Sequence, residues 1–302
     1  MSTPLVILGP TGSGKSDVAM AYAARHPGTE IVVVDAMQVY RRMDIGTAKP
    51  TAADRAAVPH HCIDLVDPGD DFALADHTAA ANAALAAIER RGGRALLVAG
   101  TGLYLRALTD PMELPGRWPD IRASLEQRAQ QEGTAALHAE LAERDPVAAS
   151  RIQPGNERRI VRALEVTLGS GRRFSSFGPG LDDYPPTRFA MIGIRWQRDA
   201  LAARIEARAR RMMDDGLVEE VAALMADRAG LSRTASQALG YREVIDMLEG
   251  RATPAETVEA IALHTRQYAV RQERWFRRDP RITWAEVHDD PASTVLPILE
   301  RR

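Results

Sequence analysis

Residues 9–16 read GPTGSGKS, directly after the apolar run Leu5–Leu8 and directly before an alanine-rich stretch. Strand, glycine loop and helix in that order fit the pattern G-x-x-x-x-G-K-[ST], and no other feature of the chain restricts its fold as tightly. Gly9, Gly12 and Gly14 let backbone N–H groups converge on anionic oxygens, and the helix N-terminus adds its dipole. Lys15 is expected to reach a terminal phosphate oxygen and the Ser16 hydroxyl a Mg²⁺ ion. The loop does not say whose phosphates it holds. A kinase, an ATPase and an enzyme that discards pyrophosphate all have use for it.

The rest of the chain supplies an α/β frame for the loop. EIVVVDAMQ is a second buried strand, ending at Asp35, and RALLVAGTGLYL holds a third. Alanine-rich helical stretches lie between them, so we expect a P-loop NTPase-like parallel sheet flanked by helices, with its sites at the carboxyl ends of the strands. Gly9, Asp35 and Thr101 all fall at such ends. From about Pro115 the texture becomes helical without strands, and a loop rich in Gly, Pro and Ser runs to Pro186. RFAMIGIRW then reads as a strand, with helices to the end. We therefore expect a core of residues 1–114 and 188–302, interrupted by an all-helical insertion of residues 115–187.

Composition excludes several classes. No apolar run approaches the ~18 residues of a membrane span. The single cysteine, Cys62, rules out an internal disulfide framework and suits a reducing cytoplasm. His60-His61-Cys62, with no second cluster, does not match metal-ligand spacing. Of the 39 basic residues only Lys15 and Lys49 are lysines. Either a compact ammonium does something at Lys49 that a guanidinium cannot, or the choice is chance.

Other stretches carry chemistry of their own. Asp35 closes an apolar strand, where it serves either as a Mg²⁺-supporting carboxylate or as a general base beside a substrate. The polar and aromatic loop DAMQVYRRMDIGTAKP favours the second role, since it suits a bulky partner. GTGLY, residues 100–104, matters by its position opposite the phosphate loop. In RDALAARIEARARRMMDDGL, Leu201, Ile205 and Met212 form a buried stripe, with Asp199 the expected N-cap. Arg204, Arg208 and Arg211 share another face, which either meets solvent or is bridged by an anion. In HTRQYAVRQERWFRR, arginines alternate with Tyr268, Trp275 and Phe276, a mixture suited to phosphate contacts and base stacking. Arg158, Arg159 and Arg162 make a second basic cluster on the insertion.

GPTGSGKS, DAMQVYRRMDIGTAKP, VPHHCIDLVDP, AGTGLYL, RRIVRALEV, GLVEEV, ALGYRE and RQYAVRQERWFRR occur together, in this order, over nearly the whole chain. In this the sequence closely resembles the bacterial tRNA dimethylallyltransferases (tRNA isopentenyltransferases). The resemblance implies transfer of a dimethylallyl group from dimethylallyl diphosphate to N6 of the adenosine immediately 3′ of the anticodon, with Mg²⁺ assisting the departure of pyrophosphate. It implies that Gly9, Pro10, Thr11, Gly12, Ser13, Gly14, Lys15 and Ser16 cradle the diphosphate, with Arg208 also neutralising its charge. Asp35 would accept the N6 proton, and Thr101 would contact the target adenosine. Asp35, Ala36, Met37 and Gln38 would read the flipped adenosine and its neighbours. Arg158, Arg159 and Arg162, then Gln237, Gly240, Tyr241 and Arg242, then Arg271, Gln272, Arg274, Trp275 and Arg277 would grip the anticodon stem-loop. The enzyme is expected to be cytoplasmic and monomeric.

Three positions depart from the family pattern. Ala36 stands where a serine is usual, Ala99 replaces a glycine, and Val270 replaces a lysine and with it one phosphate contact. Three rivals share parts of the pattern: a P-loop small-molecule kinase, an isopentenyltransferase of free adenine nucleotides, and a noncatalytic P-loop RNA-binding protein. The first two need no large RNA-binding surface, and the third leaves Asp35 without a role.

Overall fold

The computed structural model describes residues 3–178, 181 and 183–302, so part of the loop before Pro186 lies outside the described residues. The chain divides into two compact units, Met1–Asp110 with Pro186–Arg302, and Pro111–Pro185.

The first unit is built on a six-stranded sheet: β1 (Leu5–Leu8), β2 (Thr29–Val34), β3 (His60–His61), β4 (Arg94–Ala99), β5 (Ala190–Trp196) and β6 (Thr283–Val287). The strands lie in the order β3-β2-β4-β1-β5-β6, and every pairing is parallel. Helices α1 (Lys15–Arg25), α2 (Ala52–Ala57), α3 (Leu74–Arg90) and α4 (Gly102–Thr109) precede the second unit. That unit holds α5 (Pro119–Glu132), α6 (Thr134–Arg144), α7 (Pro146–Arg151) and α8 (Glu157–Ser170). The first unit then resumes with α9 (Arg198–Asp214), α10 (Leu217–Ala226), α11 (Tyr241–Leu248), α12 (Pro254–Phe276) and α13 (Pro291–Leu299). Strands β3 and β6 escape a search for apolar runs. β3 is two histidines, and β6 is the edge strand TWAEV with Glu286 exposed.

The central strands read as continuous apolar runs because both faces of the sheet are covered. Leu5 and Ile7 of β1 pack into one core with Val18 and Tyr22 of α1 and Val295 and Leu296 of α13. Val6 and Leu8 point into the opposite core, with Ala81 and Leu85 of α3, Leu105 of α4 and Phe276 of α12. A third core joins Val39, Tyr40 and Met43, from the loop after β2, to Leu217, Val221 and Tyr241. That loop is therefore packed structure, not a free strap.

Two long helices carry side chains to the sheet's carboxyl edge. Helix α12 begins with a capping box. Glu256 N–H donates to Thr253 Oγ1 at 3.3 Å and the Glu256 carboxylate accepts Thr253 N–H at 2.8 Å, with Pro254 as first helical residue. Its 23 residues span about 35 Å. Tyr268, Gln272 and Trp275, at spacings of four and three, fall on one face, and Arg271 and Arg274 on another. Helix α9 buries Leu201, Ile205, Ala209 and Met212. Its N-cap is Gln197 and not Asp199, because the helix starts two residues earlier than expected, at Arg198, and Asp199 lies in the first turn.

The second unit has its own core, in which Leu125, Leu137, Leu141, Ile160 and Leu164 are fully enclosed. Asp145, with no exposed surface, ties it together by accepting Ala148 N–H at 3.0 Å and Ser175 N–H and Oγ–H at 2.7 Å each. Strand is lacking throughout its described residues, as the helical texture from Pro115 implies.

Candidate active site

Register brings the site together. Leu8 pairs with Ala99, and Ala99 with Val34, so β1, β4 and β2 end level. The next residues, Gly9, Gly100 and Asp35, leave the sheet side by side. At about 4.8 Å per strand step, the phosphate loop and Asp35 stand about 10 Å apart across Gly100.

The phosphate loop closes as its sequence requires. Gly14 takes the left-handed conformation (φ 86°) that starts α1, and a Cβ there would sit 2.6 Å from Pro291 Cγ. Three cations converge on the loop. Lys15 Nζ donates to the Gly9 and Pro10 carbonyls at 3.0 and 2.8 Å. Arg204 Nε donates to Gly12 O at 3.0 Å while its guanidinium lies 4.5 Å over the Trp196 ring. Arg208 Nη1 donates to Thr11 Oγ1 at 3.2 Å. Arg211, expected on the same face, is exposed and has no such contact with the loop. Burial pushes the Lys15 ammonium down to about 8; Asp35 opposes the shift and Arg208 adds to it. Burial also lowers the Arg208 guanidinium. So much positive charge held away from water, with Asp35 the nearby anion, is complementary to a polyanion.

Asp35 is held as half of a hydrogen-bonded turn. Its Oδ1 accepts Met37 N–H at 2.8 Å and Gln38 N–H at 3.2 Å. Its Oδ2 lies beside Gly100, 3.2 Å from where a Cβ would be. One carboxylate oxygen is thus spent on the backbone, and the other is turned toward the neighbouring strand end. Thr101 starts α4 there, and the Tyr268 phenol lies beside both Thr101 and Gln272. Burial and the Asp35 charge push that phenol up to about 12, so it stays protonated. Trp275 packs on Gly102, which has no room for a side chain.

The loop after Asp35 is pinned by two ions of opposite sign. Lys49, whose side chain is 1% exposed, donates to Tyr40 O, to Asp44 Oδ1 at 2.8 Å and to Asp64 Oδ1 at 2.6 Å. A compact ammonium serves three oxygens around one point, which a planar guanidinium cannot. Glu220 of α10 accepts Asp44 and Ile45 N–H at 2.9 Å each and the Tyr241 hydroxyl. Gln38 Nε2 donates to Thr47 O at 3.0 Å and Ala48 O at 3.3 Å, so the same loop orients it. Glu220 was missed in the sequence. Its only signal was membership of GLVEEV.

The residues expected to meet RNA separate into two groups. Arg158, Arg159, Arg242, Arg271, Arg274, Arg277 and Gln237 are exposed. Arg274 has no hydrogen bond or ion pair among the described residues, whereas Arg277 lies 3.8 Å from Glu273 and Arg242 pairs with Glu243 at 3.0 Å. Ala36 and Met37 are half-buried beside Asp35. Others are turned inward. Tyr241 is fully enclosed and Gly240 N–H is bonded to Glu243 at 2.8 Å. Arg162 is engaged with Pro115 O and Glu165 at 2.9 Å each. Gln272 is buried, and Trp275 is half-buried on Gly102. In the fold these four side chains brace the frame, because each fills a gap or satisfies a partner.

His60, His61 and Cys62 do not form a metal centre. His60 bonds Val58 O, His61 bonds Glu30, and no cluster of three ligating side chains occurs among the described residues.

Lys15 gives a pH signature. Bound polyanion raises its pKa, so binding favours the ammonium. Affinity for an alkyl diphosphate should be flat below about pH 8 and fall about tenfold per unit above it. Isothermal titration in the wild type and in Lys15→Met checks this. The variant should bind weakly with no such slope, and an equal slope in both would remove Lys15 as its source.

Comparison with known proteins places the chain in a family. A family model described as IPP transferase matches residues 38–279, and one described as isopentenyl transferase matches residues 3–59. The tRNA dimethylallyltransferase of Kineococcus radiotolerans is 47% identical over 99% of this chain and 96% of its own length. That of Geobacter metallireducens is 46% identical over 97% of this chain and 96% of its own. The full-length tRNA isopentenylpyrophosphate transferase of Bacillus halodurans superposes with a TM-score of 0.70 at 36% identity, covering 99% of this chain and 95% of that one. A eukaryotic dimethylallyltransferase acting on tRNA shares the fold, with a TM-score of 0.78 at 23% identity over 96% of this chain and 75% of that one. Two charged loops facing each other across two strand steps, with family motifs running the length of the chain, make this protein a member of the tRNA dimethylallyltransferase (IPP transferase) family.

Proposed function

We propose that the chain transfers a dimethylallyl group from dimethylallyl diphosphate to N6 of the adenosine immediately 3′ of the anticodon in tRNA, releasing pyrophosphate. The observation that carries this reading is the level ending of β1, β4 and β2, with cations on one side and a carboxylate oxygen on the other. The donor's diphosphate lies in the loop of residues 9–16, where Lys15 and Arg208 neutralise the charge that develops as the C1–O bond breaks. The N6 lone pair attacks C1, the electron pair of the breaking bond leaves on the diphosphate, and Asp35 takes the N6 proton. Thr101, beside the Tyr268 phenol, faces the acceptor.

The exposed Ser16 hydroxyl, first in α1 after Lys15, fits a Mg²⁺ ion held mainly by diphosphate oxygens and water, the usual way this ion is bound. When bound, the ion would supply additional charge neutralisation to the leaving group.

For tRNA, the exposed arginines supply phosphate contacts, Arg158 and Arg159 from the helical unit and Arg271, Arg274 and Arg277 from α12. Arg271 lies 5.7 Å over the Tyr268 ring, which holds its guanidinium in a fixed direction. Residues 35–38 read the extruded adenosine. Unstacking that base costs a few kcal/mol in a duplex and least in a single-stranded loop, which makes an anticodon loop a feasible target.

Incubation with Mg²⁺, labelled dimethylallyl diphosphate and either an anticodon stem-loop or AMP tests the reading. Label should appear on the RNA; label on AMP alone, or ATP hydrolysis without transfer, would overturn it. Asp35→Asn should slow transfer about 10²-fold or more while alkyl diphosphate affinity stays within about twofold. Turnover near wild type would remove Asp35 as the base. Arg274→Ala should weaken stem-loop binding and make its log–log salt dependence shallower by about one. An unchanged slope would take Arg274 off the list of phosphate contacts.

A further inference from the structure

We propose that Gln272 is a positioning residue, fixing the spacing between the diphosphate loop and the acceptor side of the site, and that it does not contact RNA. Its side chain is 7% exposed and crosses the gap where the β1–β4 ladder stops. Oε1 accepts Thr11 N–H at 2.9 Å, and Nε2 donates to Gly100 O at 2.6 Å. Only one orientation of the amide is possible, since a backbone N–H can only donate and a carbonyl can only accept. The side-chain amide thus stands in for one more peptide rung between the two strands after their own pairing has ended at Leu8 and Ala99.

The residues it joins belong to opposite halves of the reaction. Thr11 lies in the phosphate loop and its hydroxyl accepts from Arg208. Gly100 precedes Thr101 and has Asp35 Oδ2 against it; a Cβ there would lie 3.2 Å from that oxygen and 3.6 Å from Gln272 Nε2. Tyr268, one helical turn earlier on α12, lies beside Gln272 as well as Thr101. Leaving group, general base and acceptor contact therefore share one buried amide as a strut. Its place in RQYAVRQERWFRR, among exposed arginines, disguises this, because helical spacing turns it to the inner face with Tyr268.

This rests on the prenyl-transfer reading, so the unaltered enzyme is the reference in every measurement. Gln272→Leu removes both bonds, and Gln272→Glu keeps the acceptor for Thr11 but sets a carboxylate against the Gly100 carbonyl. Misplacement of reacting groups by about 1 Å costs on the order of 10²-fold. Single-turnover transfer at saturating donor and stem-loop should fall at least about tenfold in both variants, with stem-loop Kd within about twofold of wild type. Gln272→Glu also carries its own signature. Protonation restores a donor toward Gly100, so its rate relative to wild type should rise as pH is lowered from 8 to 6, whereas that of Gln272→Leu should not. Should Gln272→Leu fail to fold, the pH ratio of Gln272→Glu decides alone. A tenfold weaker stem-loop Kd with an unchanged saturating rate would make Gln272 an RNA contact and overturn the proposal, as would wild-type rates in both variants. Loss of transfer in the unaltered enzyme as well would count against the reaction and not against the strut.

Discussion

The level ending of three parallel strands is the constraint on which the site depends. Because Leu8, Ala99 and Val34 share one register, Gly9, Gly100 and Asp35 emerge together, and nothing in a loop alone could hold them so. The sheet supplies this stiffness through two apolar cores, one on each face. The side chains beyond the last rung then extend the order outward. Arg204 and Arg208 come from α9, Tyr268 and Gln272 from α12, and each reaches the strand ends from a helix that is itself packed, α12 being capped as well.

Charge is distributed unevenly over this frame. The donor side gathers Lys15, Arg204 and Arg208, while the acceptor side has Asp35 with one oxygen committed to the backbone. Such an arrangement is costly without ligand, since burial disfavours both the Lys15 and the Arg208 charges, and it is relieved by a polyanion. The loop of residues 36–50 meets its own cost differently. Its buried Lys49 is paired with Asp44 and Asp64, and its free N–H groups are collected by Glu220. The buried ammonium thus has two carboxylates and a carbonyl around it, which fixes the loop before any substrate arrives.

Much of this was legible in the sequence because the phosphate loop, the apolar strands and the family motifs are local patterns. The alternation hidden within LVIL became readable only with both faces covered. The two histidines of β3 and the TWAEV edge strand β6 lacked such a pattern and were missed. The rarity of lysine flagged Lys49 correctly as unusual, although its three oxygen partners lie up to 15 residues away along the chain. The inward turn of some motif residues was not legible. Tyr241, Arg162, Gln272 and Trp275 sit in motifs beside exposed arginines, and sequence proximity cannot tell which face of a helix a side chain takes without its neighbours. Ala99 is enclosed in the sheet, away from solvent, whereas Val270 lies exposed beside Arg271, where a lysine would have added charge.

The central claim is that donor and acceptor meet across the strand ends in one displacement, with the diphosphate leaving on the β1 side as N6 attacks from the β2 side. Dimethylallyl diphosphate carrying a single deuterium at C1 in known configuration tests this directly. The configuration at C1 of the prenylated adenosine, recovered from the stem-loop, should be inverted throughout. Retention, or a racemic mixture, would contradict the account, because it would require a covalent intermediate or a prenyl group free to turn between leaving and attack.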